Sequence, residues 1–205
     1  MPDLYEHINE SLAAIRRHRP VWRERYSLDP PWTIERLAEF ERKHRCNLPE
    51  EYRGFLLHVG IAGTGPDYGL FAPHQHFSGS GFEGCLDDDP DLSIPFPHEK
   101  SWNDLPEGLI DWDNDYFSSR HSNGSLIISD RGCALWTRLI VTGPLAGQIW
   151  YEDRADGLGL RPALAPDGST YRFLQWYIDW LDLEFYQYGH EGQARQKPRS
   201  INLME

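Results

Sequence analysis

The sequence lacks any apolar run close to the roughly 20 residues that a membrane-spanning helix requires. Its three cysteines, Cys46, Cys85 and Cys133, are widely spaced and form no C-x-x-C pair, which argues against a disulfide framework or a zinc site. The first residues show no basic flank followed by an apolar stretch, so we expect no secretory signal. We therefore predict a cytoplasmic protein with reduced thiols, two of them buried.

Motifs for phosphate binding are also absent. The glycine-rich stretch from Gly60 to Gly69 matches neither G-x-x-x-x-G-K-[ST] nor G-x-G-x-x-G. It follows a predicted helix, whereas both motifs follow a strand. We interpret these glycines as turn residues that lead into a strand.

No complete catalytic or metal-binding pattern is present. The chain has no G-x-S-x-G elbow, and Cys133 lies in a predicted buried strand, which disfavours a nucleophilic role. His74 and His76 alternate as a metal pair on a strand would, but no third ligand has a fixed spacing. The acidic run from Asp87 lacks the glycine turn and terminal glutamate of a calcium loop.

With 205 residues and 40% apolar content, the chain can form a hydrophobic core that buries about 70% of its unfolded surface. We predict one domain over residues 1–188, followed by a flexible polar tail at residues 189–205. Three antiparallel strands are expected at residues 125–130, 134–142 and 147–153, with a hairpin loop at 143–147.

Apolar periodicity predicts four helices. The first covers residues 3–17, the second begins after the N-cap Thr33, and the third begins at Pro49 and stops at Gly60. The fourth is capped by Ser169 or Thr170. The side chains predicted to face inward are Leu4, Ile8, Leu12, Ile15, Ile34, Leu37, Phe40, Tyr52, Phe55, Leu56, Val59, Phe173, Trp176, Tyr177, Trp180 and Leu181.

The net charge of −12 is concentrated in residues 83–115, where eleven acidic residues face a single base, Lys100. Such a surface repels phosphate backbones and favours a cationic partner. Alternatively, the stretch is a solvated insertion that keeps the protein soluble. The residues that we assign to a partner-binding surface are Asp87, Asp88, Asp89, Asp91, Trp102, Asp111, Trp112, Asp113 and Asp115.

Aromatic side chains alternate with these acids between Trp102 and Phe117. They either form an exposed apolar anchor for the partner or pin the acidic insertion onto the sheet. Basic residues cluster at 16–19 and 42–45, where cations suit the ends of helices. Weak self-association between those bases and the acids of a second copy is a further hypothesis. We expect neither nucleic acid nor a membrane as a partner.

Several short motifs occur in a recognisable order over residues 33–182, among them Leu48-Pro49-Glu50-Glu51-Tyr52, Gly63-x-Gly65-Pro66 and Gly147-Gln-Ile-Trp150. They resemble the SMI1/KNR4 family, also called the SUKH superfamily, although Ile61-Ala62 stands where many relatives carry Asn followed by Gly. The turn after the third strand, at Asp153 to Asp156, is expected to cap backbone amides. The residues that match the family motifs are Pro49, Gly60, Gly63, Gly65, Pro66, Gly69, Trp150, Asp153, Gly157, Trp176 and Trp180.

The resemblance implies an α+β fold, in which N-terminal helices and one long C-terminal helix pack against a mainly antiparallel sheet. It implies no catalytic residues, and we expect no cofactor or metal. Bacterial relatives are largely immunity proteins that neutralise a toxin, often a nuclease or deaminase, and fungal relatives are regulatory scaffolds. We therefore expect a non-enzymatic protein that neutralises a basic toxin through its acidic surface. The alternative is a scaffold that binds an endogenous protein.

Overall fold

A computed structural model describes residues 2–18, 24–73, 90–104 and 115–188. Within these residues, helices pack on a four-stranded antiparallel sheet with the strand order β1-β2-β3-β4. The predicted α+β fold and antiparallel meander are therefore confirmed. The elements are α1 Pro2–His18, α2 Ile34–His44, α3 Glu50–His58, β1 Ser125–Gly132, β2 Leu135–Ile140, β3 Ile149–Asp153, β4 Gly159–Pro162 and α4 Phe173–Tyr188.

Local signals set the first three helices. Thr33 is the N-cap of α2, and its side chain accepts a hydrogen bond from the backbone N–H of Arg36 at 3.3 Å. Helix α2 ends at a C-cap, Arg45, with a left-handed φ of 50°. Pro49 is the N-cap of α3, so this helix begins at Glu50, one residue later than predicted. These boundaries were predictable because capping depends on residues close in sequence.

The start of α4 differs from the prediction. The helix begins at Phe173, and neither Ser169 nor Thr170 caps it. Instead, a carboxylate oxygen of Glu51 on α3 accepts a hydrogen bond from the backbone N–H of Leu174 at 3.1 Å. A helix N-terminus favours a negative charge, and this charge comes from a residue 123 positions earlier in the chain. A local sequence pattern could not have shown it.

The main core lies between the helices and one face of the sheet. Phe173 is fully buried, with its ring centroid 4.8 Å from that of Tyr52 and 5.1 Å from that of Phe55. Two predicted core residues are wrong: Leu4 is 41% exposed and Ile34 is 53% exposed. In α1 the buried stripe begins at Tyr5, three residues before Ile8, because the helical period also allows that spacing.

Strand β4 was missed by sequence analysis. It spans four residues, with a glycine at one end and a proline at the other, and both residues weaken a strand prediction. Its hydrogen bonds to β3 and to Trp102 nevertheless hold it in the sheet. At the opposite edge, Leu70 forms bridges with Gly63 and with Ser129 of β1. The glycine-rich stretch therefore turns into an edge pairing, but it forms isolated bridges instead of the predicted strand.

The β1–β2 connection corrects the prediction for Cys133. This residue is exposed and lies in a two-residue turn with Ala134, not in a buried strand. The φ angles of the two residues are 54° and 61°, the combination that a type I′ hairpin turn requires. Cys-Ala is not a usual pair for this turn, so the residue types did not indicate a hairpin here. Cys46 is buried, and Cys85 lies outside the described residues.

Candidate functional site

Residues 90–104, which we call the strap, cross the sheet face that points away from the helices. Alternate residues of β2 and β3 point to this face, where Ile140 and Trp150 form a second apolar cluster with Phe96 of the strap. The Phe96 ring packs edge-on against that of Trp150 at 4.9 Å, and its N–H donates to Thr142 O at 2.9 Å. The acidic region is thus attached to the sheet through its own apolar residues.

The start of the strap is held by Asp91. A side-chain oxygen of Asp91 accepts hydrogen bonds from the N–H and hydroxyl of Ser93, at 2.8 and 2.7 Å. These bonds are the main reason why the pKa of Asp91 lies below its ordinary value. The backbone N–H of Asp91 donates to Asn123 Oδ1 at 2.8 Å, and Arg45 Nη2 approaches its carboxylate at 3.4 Å. This predicted contact residue has a fixed position beside β1.

The end of the strap is held by Trp102. Its backbone exchanges two 2.8 Å hydrogen bonds with Leu160 of β4. Its half-buried ring stacks on those of His121, His98 and Tyr116, at centroid distances of 4.1, 4.8 and 5.3 Å. For Trp102 the described contacts are those of a side chain that pins the strap to the sheet.

The chain returns to the sheet beside the end of the strap. The Tyr116 hydroxyl donates to Asn103 Oδ1 at 2.6 Å, which brings residues 103 and 116 together. Tyr116 and Phe117 are only 2% and 5% exposed, so they pack inward rather than forming a surface anchor. Residues 103 and 116 therefore lie side by side on this face.

Beneath this junction lies a buried ionic cluster of Arg138, Glu152 and Arg154, each at most 1% exposed. A Glu152 carboxylate oxygen accepts from Arg138 Nε at 2.9 Å and from Arg154 Nη2 at 2.8 Å. Arg154 Nη1 also donates to the carbonyl oxygens of Tyr116 and Ser118, at 2.9 and 3.1 Å. The cluster therefore connects residues 116–118 to strand β3.

One carboxylate faces two guanidinium groups in this cluster. Burial alone would raise the pKa of Glu152, but Arg154 and Arg138 outweigh it and hold that pKa below its ordinary value. Burial is also the main cause that lowers the pKa of Arg138, whose guanidinium nevertheless stays charged. Sequence analysis missed the cluster because arginine and glutamate are usually exposed.

Burial lowers the pKa of both histidines in the ring stack. The pKa of His98 is lowered to about 4, chiefly because the ring is partly removed from water. Burial also lowers the pKa of His121. His98 Nε2 lies 3.0 Å from His121 O, which fits a neutral ring with its proton on Nε2. The stack is therefore uncharged at neutral pH.

The structure brings three of the predicted partner-binding residues to this face: Asp91, Trp102 and Asp115. Asp115 is exposed and forms an ion pair with Arg120. The other six predicted contact residues lie outside the described residues, as do His74, His76 and residues 189–205. Those six are Asp87, Asp88, Asp89, Asp111, Trp112 and Asp113.

The residues that match the family motifs occupy structural positions. Trp150 is buried under Phe96, and Gly157 ends a short 3-10 turn with a φ of 70°. The prediction that Asp153 caps backbone amides is wrong. Its carboxylate pairs with Arg131 and Arg161, which approach from β1 and β4. Two nearby guanidinium groups offer stronger hydrogen bonds than the turn amides do.

The described residues also bear on metal binding and on membrane insertion. No group of three potential metal ligands occurs among them. No helix among them has the length and apolar character that crossing a membrane demands.

Comparison with known proteins identified no relative. No family model matches the chain, and neither the curated proteins nor the solved structures contain a match. The resemblance in motif order therefore stays a prediction.

Proposed function

We propose that this chain is a non-enzymatic protein of the SUKH type that binds a cationic toxin domain at the strap face and neutralises it. The observation that carries the proposal is that the described part of the acidic region is held in place at residues 91 and 103. Asp91 is held next to β1, and Asn103 is hydrogen-bonded to Tyr116 above β3 and β4. The acidic residues that the structure describes are thus held close to the sheet.

Charge supplies the attraction in this proposal. Residues 83–115 contain eleven acids and one base, and the described acids Glu99, Asp104 and Asp115 are exposed. A field of one sign raises association rates by about 10- to 1,000-fold, and salt reduces the effect. Because residues 91 and 103 are already held in place, less conformational entropy is lost at these positions when a partner binds.

Apolar contacts would supply the affinity that charge does not. Ile94 on the strap is 45% exposed, and Leu158 is 57% exposed. Leu158 follows Gly157, whose carbonyl accepts a hydrogen bond from Asn103 at the end of the strap. Ile94 on the strap and Leu158 beside its end are therefore available to a partner that covers the strap.

The test neutralises part of the acidic region. A variant with Asp87, Asp88, Asp89 and Asp91 replaced by Asn should associate about tenfold or more slowly with the toxin encoded beside its gene. Stopped-flow measurements at low and high salt should show that this difference shrinks as salt rises.

The matched control replaces four exposed acids on α1 and α2, Glu6, Glu10, Glu35 and Glu39, by Gln and should associate at the wild-type rate. Equal rates for both variants would reject electrostatic steering by the strap face. Binding of an endogenous cationic protein but not of the toxin would replace neutralisation by a scaffold role. Substrate turnover by the purified chain would contradict a non-enzymatic function.

A further inference from the structure

A groove of about 580 Å³ lies at the β1 edge of the sheet, away from Trp102 and the β4 edge. Its walls are the glycine-rich loop at residues 63–69, the turn at residues 24–27 and the last turns of α4. Binding clefts for small ligands commonly have volumes of about 300–1,000 Å³. The groove therefore has the size of a site. Four of its lining residues match the family motifs, namely Gly63, Gly65, Gly69 and Trp180, and none of them belongs to the strap.

The loop wall is preformed. Gly63 and Leu70 exchange backbone hydrogen bonds of 3.0 and 2.7 Å, and the Tyr177 hydroxyl of α4 donates to Thr64 O at 3.0 Å. Gly69 has a φ of 103°, and a Cβ there would lie 2.4 Å from Gly63 O. A side chain is therefore excluded at Gly69, and the loop keeps its shape without a ligand.

Negative charge predominates in the groove. Among the described residues that line it, Glu24, Asp67 and Glu184 are acidic and Arg25 is basic. Asp67 accepts a hydrogen bond from Thr137 Oγ1 at 2.9 Å, and partial withdrawal of its carboxylate from water raises its pKa. An anionic ligand would be repelled by this lining.

Aromatic rings complete the groove. Tyr68 lies at its rim and is 80% exposed, more than the other large apolar or aromatic side chains that are exposed in the described residues. Trp180 lines the groove from α4, where its ring packs edge-on against Tyr177 at 5.3 Å. Aromatic faces beside carboxylates attract cations, and the planar guanidinium of arginine can also stack on them.

We propose that this groove binds an arginine side chain presented by a protein partner. The aromatic rings contact the guanidinium plane, and the carboxylates of Glu24, Asp67 and Glu184 supply the opposite charge. The proposal does not depend on the strap face, because the lining residues are separate from the strap. It is specific for a delocalised cation, so a neutral ligand of the same shape should bind poorly.

The experiment titrates the full chain with N-acetyl-arginine amide and with its neutral analogue, N-acetyl-citrulline amide. Proton–nitrogen correlation spectra report on the backbone amides of Gly63, Gly65 and Gly69 and on the Trp180 indole N–H. Saturable shifts of these signals are expected with the arginine compound at millimolar concentration, and much weaker shifts with citrulline. The Tyr68→Ala variant should weaken binding about two- to fivefold.

A second variant tests the charge. Glu24→Gln combined with Asp67→Asn removes two carboxylates, and Asn tolerates the left-handed φ of 59° at position 67. Its matched control is Glu35→Gln combined with Glu39→Gln on α2, outside the groove. Arginine binding should be lost in the first variant and unchanged in the second.

Three results would overturn the proposal: no shifts of the loop glycines, equal shifts with citrulline, or shifts confined to strap residues such as Trp102. Steering by the strap is measured separately by the association rates, so failure of one proposal leaves the other standing.

Discussion

The two faces of the sheet are held in different ways. The helix face is filled by apolar and aromatic side chains such as Leu139, Ile149 and Phe173, all fully buried. The strap face combines the Phe96–Trp150 contact with a buried ionic cluster and a stack of four rings. Apolar burial is non-directional and tolerates small shifts, whereas buried ion pairs require exact partners. The strap face is therefore the more sensitive to a single polar substitution.

The largest effect is expected from Glu152→Gln. The change keeps the shape of the side chain but leaves the guanidinium groups of Arg138 and Arg154 buried without a countercharge. Loss of one partner of a buried ion pair costs about 3–5 kcal/mol in the free energy of unfolding. Urea unfolding would measure the loss, with the exposed Glu39→Gln as the control within about 0.5 kcal/mol of wild type. A loss below about 1 kcal/mol would mean that the cluster contributes little.

Leu139→Ala disrupts the helix face of the sheet. Leu139 is the neighbour of Arg138 on β2, and its side chain points to the opposite face. Leu139 is fully buried in the helix-side core, and a cavity of this kind costs about 2–5 kcal/mol. Amide exchange sharpens the comparison. The Leu139 variant should lose protection throughout the fold, whereas Glu152→Gln should first expose residues 115–122. Identical exchange patterns in the two variants would contradict a separate role for the strap face.

Strands β1 and β2 contribute side chains to both faces of the sheet. A more favourable turn between them should therefore stabilise both faces. Cys133 and Ala134 have positive φ angles. This backbone conformation is energetically unfavourable for residues that carry a side chain. Replacing them with Asn and Gly, the favoured type I′ pair, should raise the free energy of unfolding by about 1 kcal/mol. Thermal unfolding would detect the gain. An unchanged or lower melting temperature would show that the turn is not strained.

The smallest effect concerns pH. The unfolded chain takes up a proton on His98 near the ordinary value of 6.5, whereas the folded chain does so only near its lowered pKa of about 4. Protons therefore favour the unfolded state in this window, and stability should fall as the pH drops from about 7 to about 4. His98→Gln should make that decline shallower, as measured by melting temperature across the window. A parallel decline in both proteins would assign the effect to other groups.

The helices and three strands could be predicted because their signals are local: Thr33 caps α2, and apolar stripes recur at helical spacing. The missed features depend on residues far apart in the sequence. Glu51 caps α4, Trp102 secures the short β4, and Arg154 ties β3 to Tyr116. The acidic region was located from composition, but its path across the sheet was not predictable because side-chain pairing fixes it.

The link between Glu51 and α4 also bears on how the chain matures during synthesis. Helix α4 packs against α1, which is synthesised before it, and takes its N-terminal cap from α3. Helix α4 therefore closes contacts with α1, and the backbone N–H of Leu174 lacks its Glu51 partner until α3 has formed. A ribosome-stalled chain ending before Phe173 would leave the apolar face of the sheet open, and chaperones would encounter that face until synthesis passes α4.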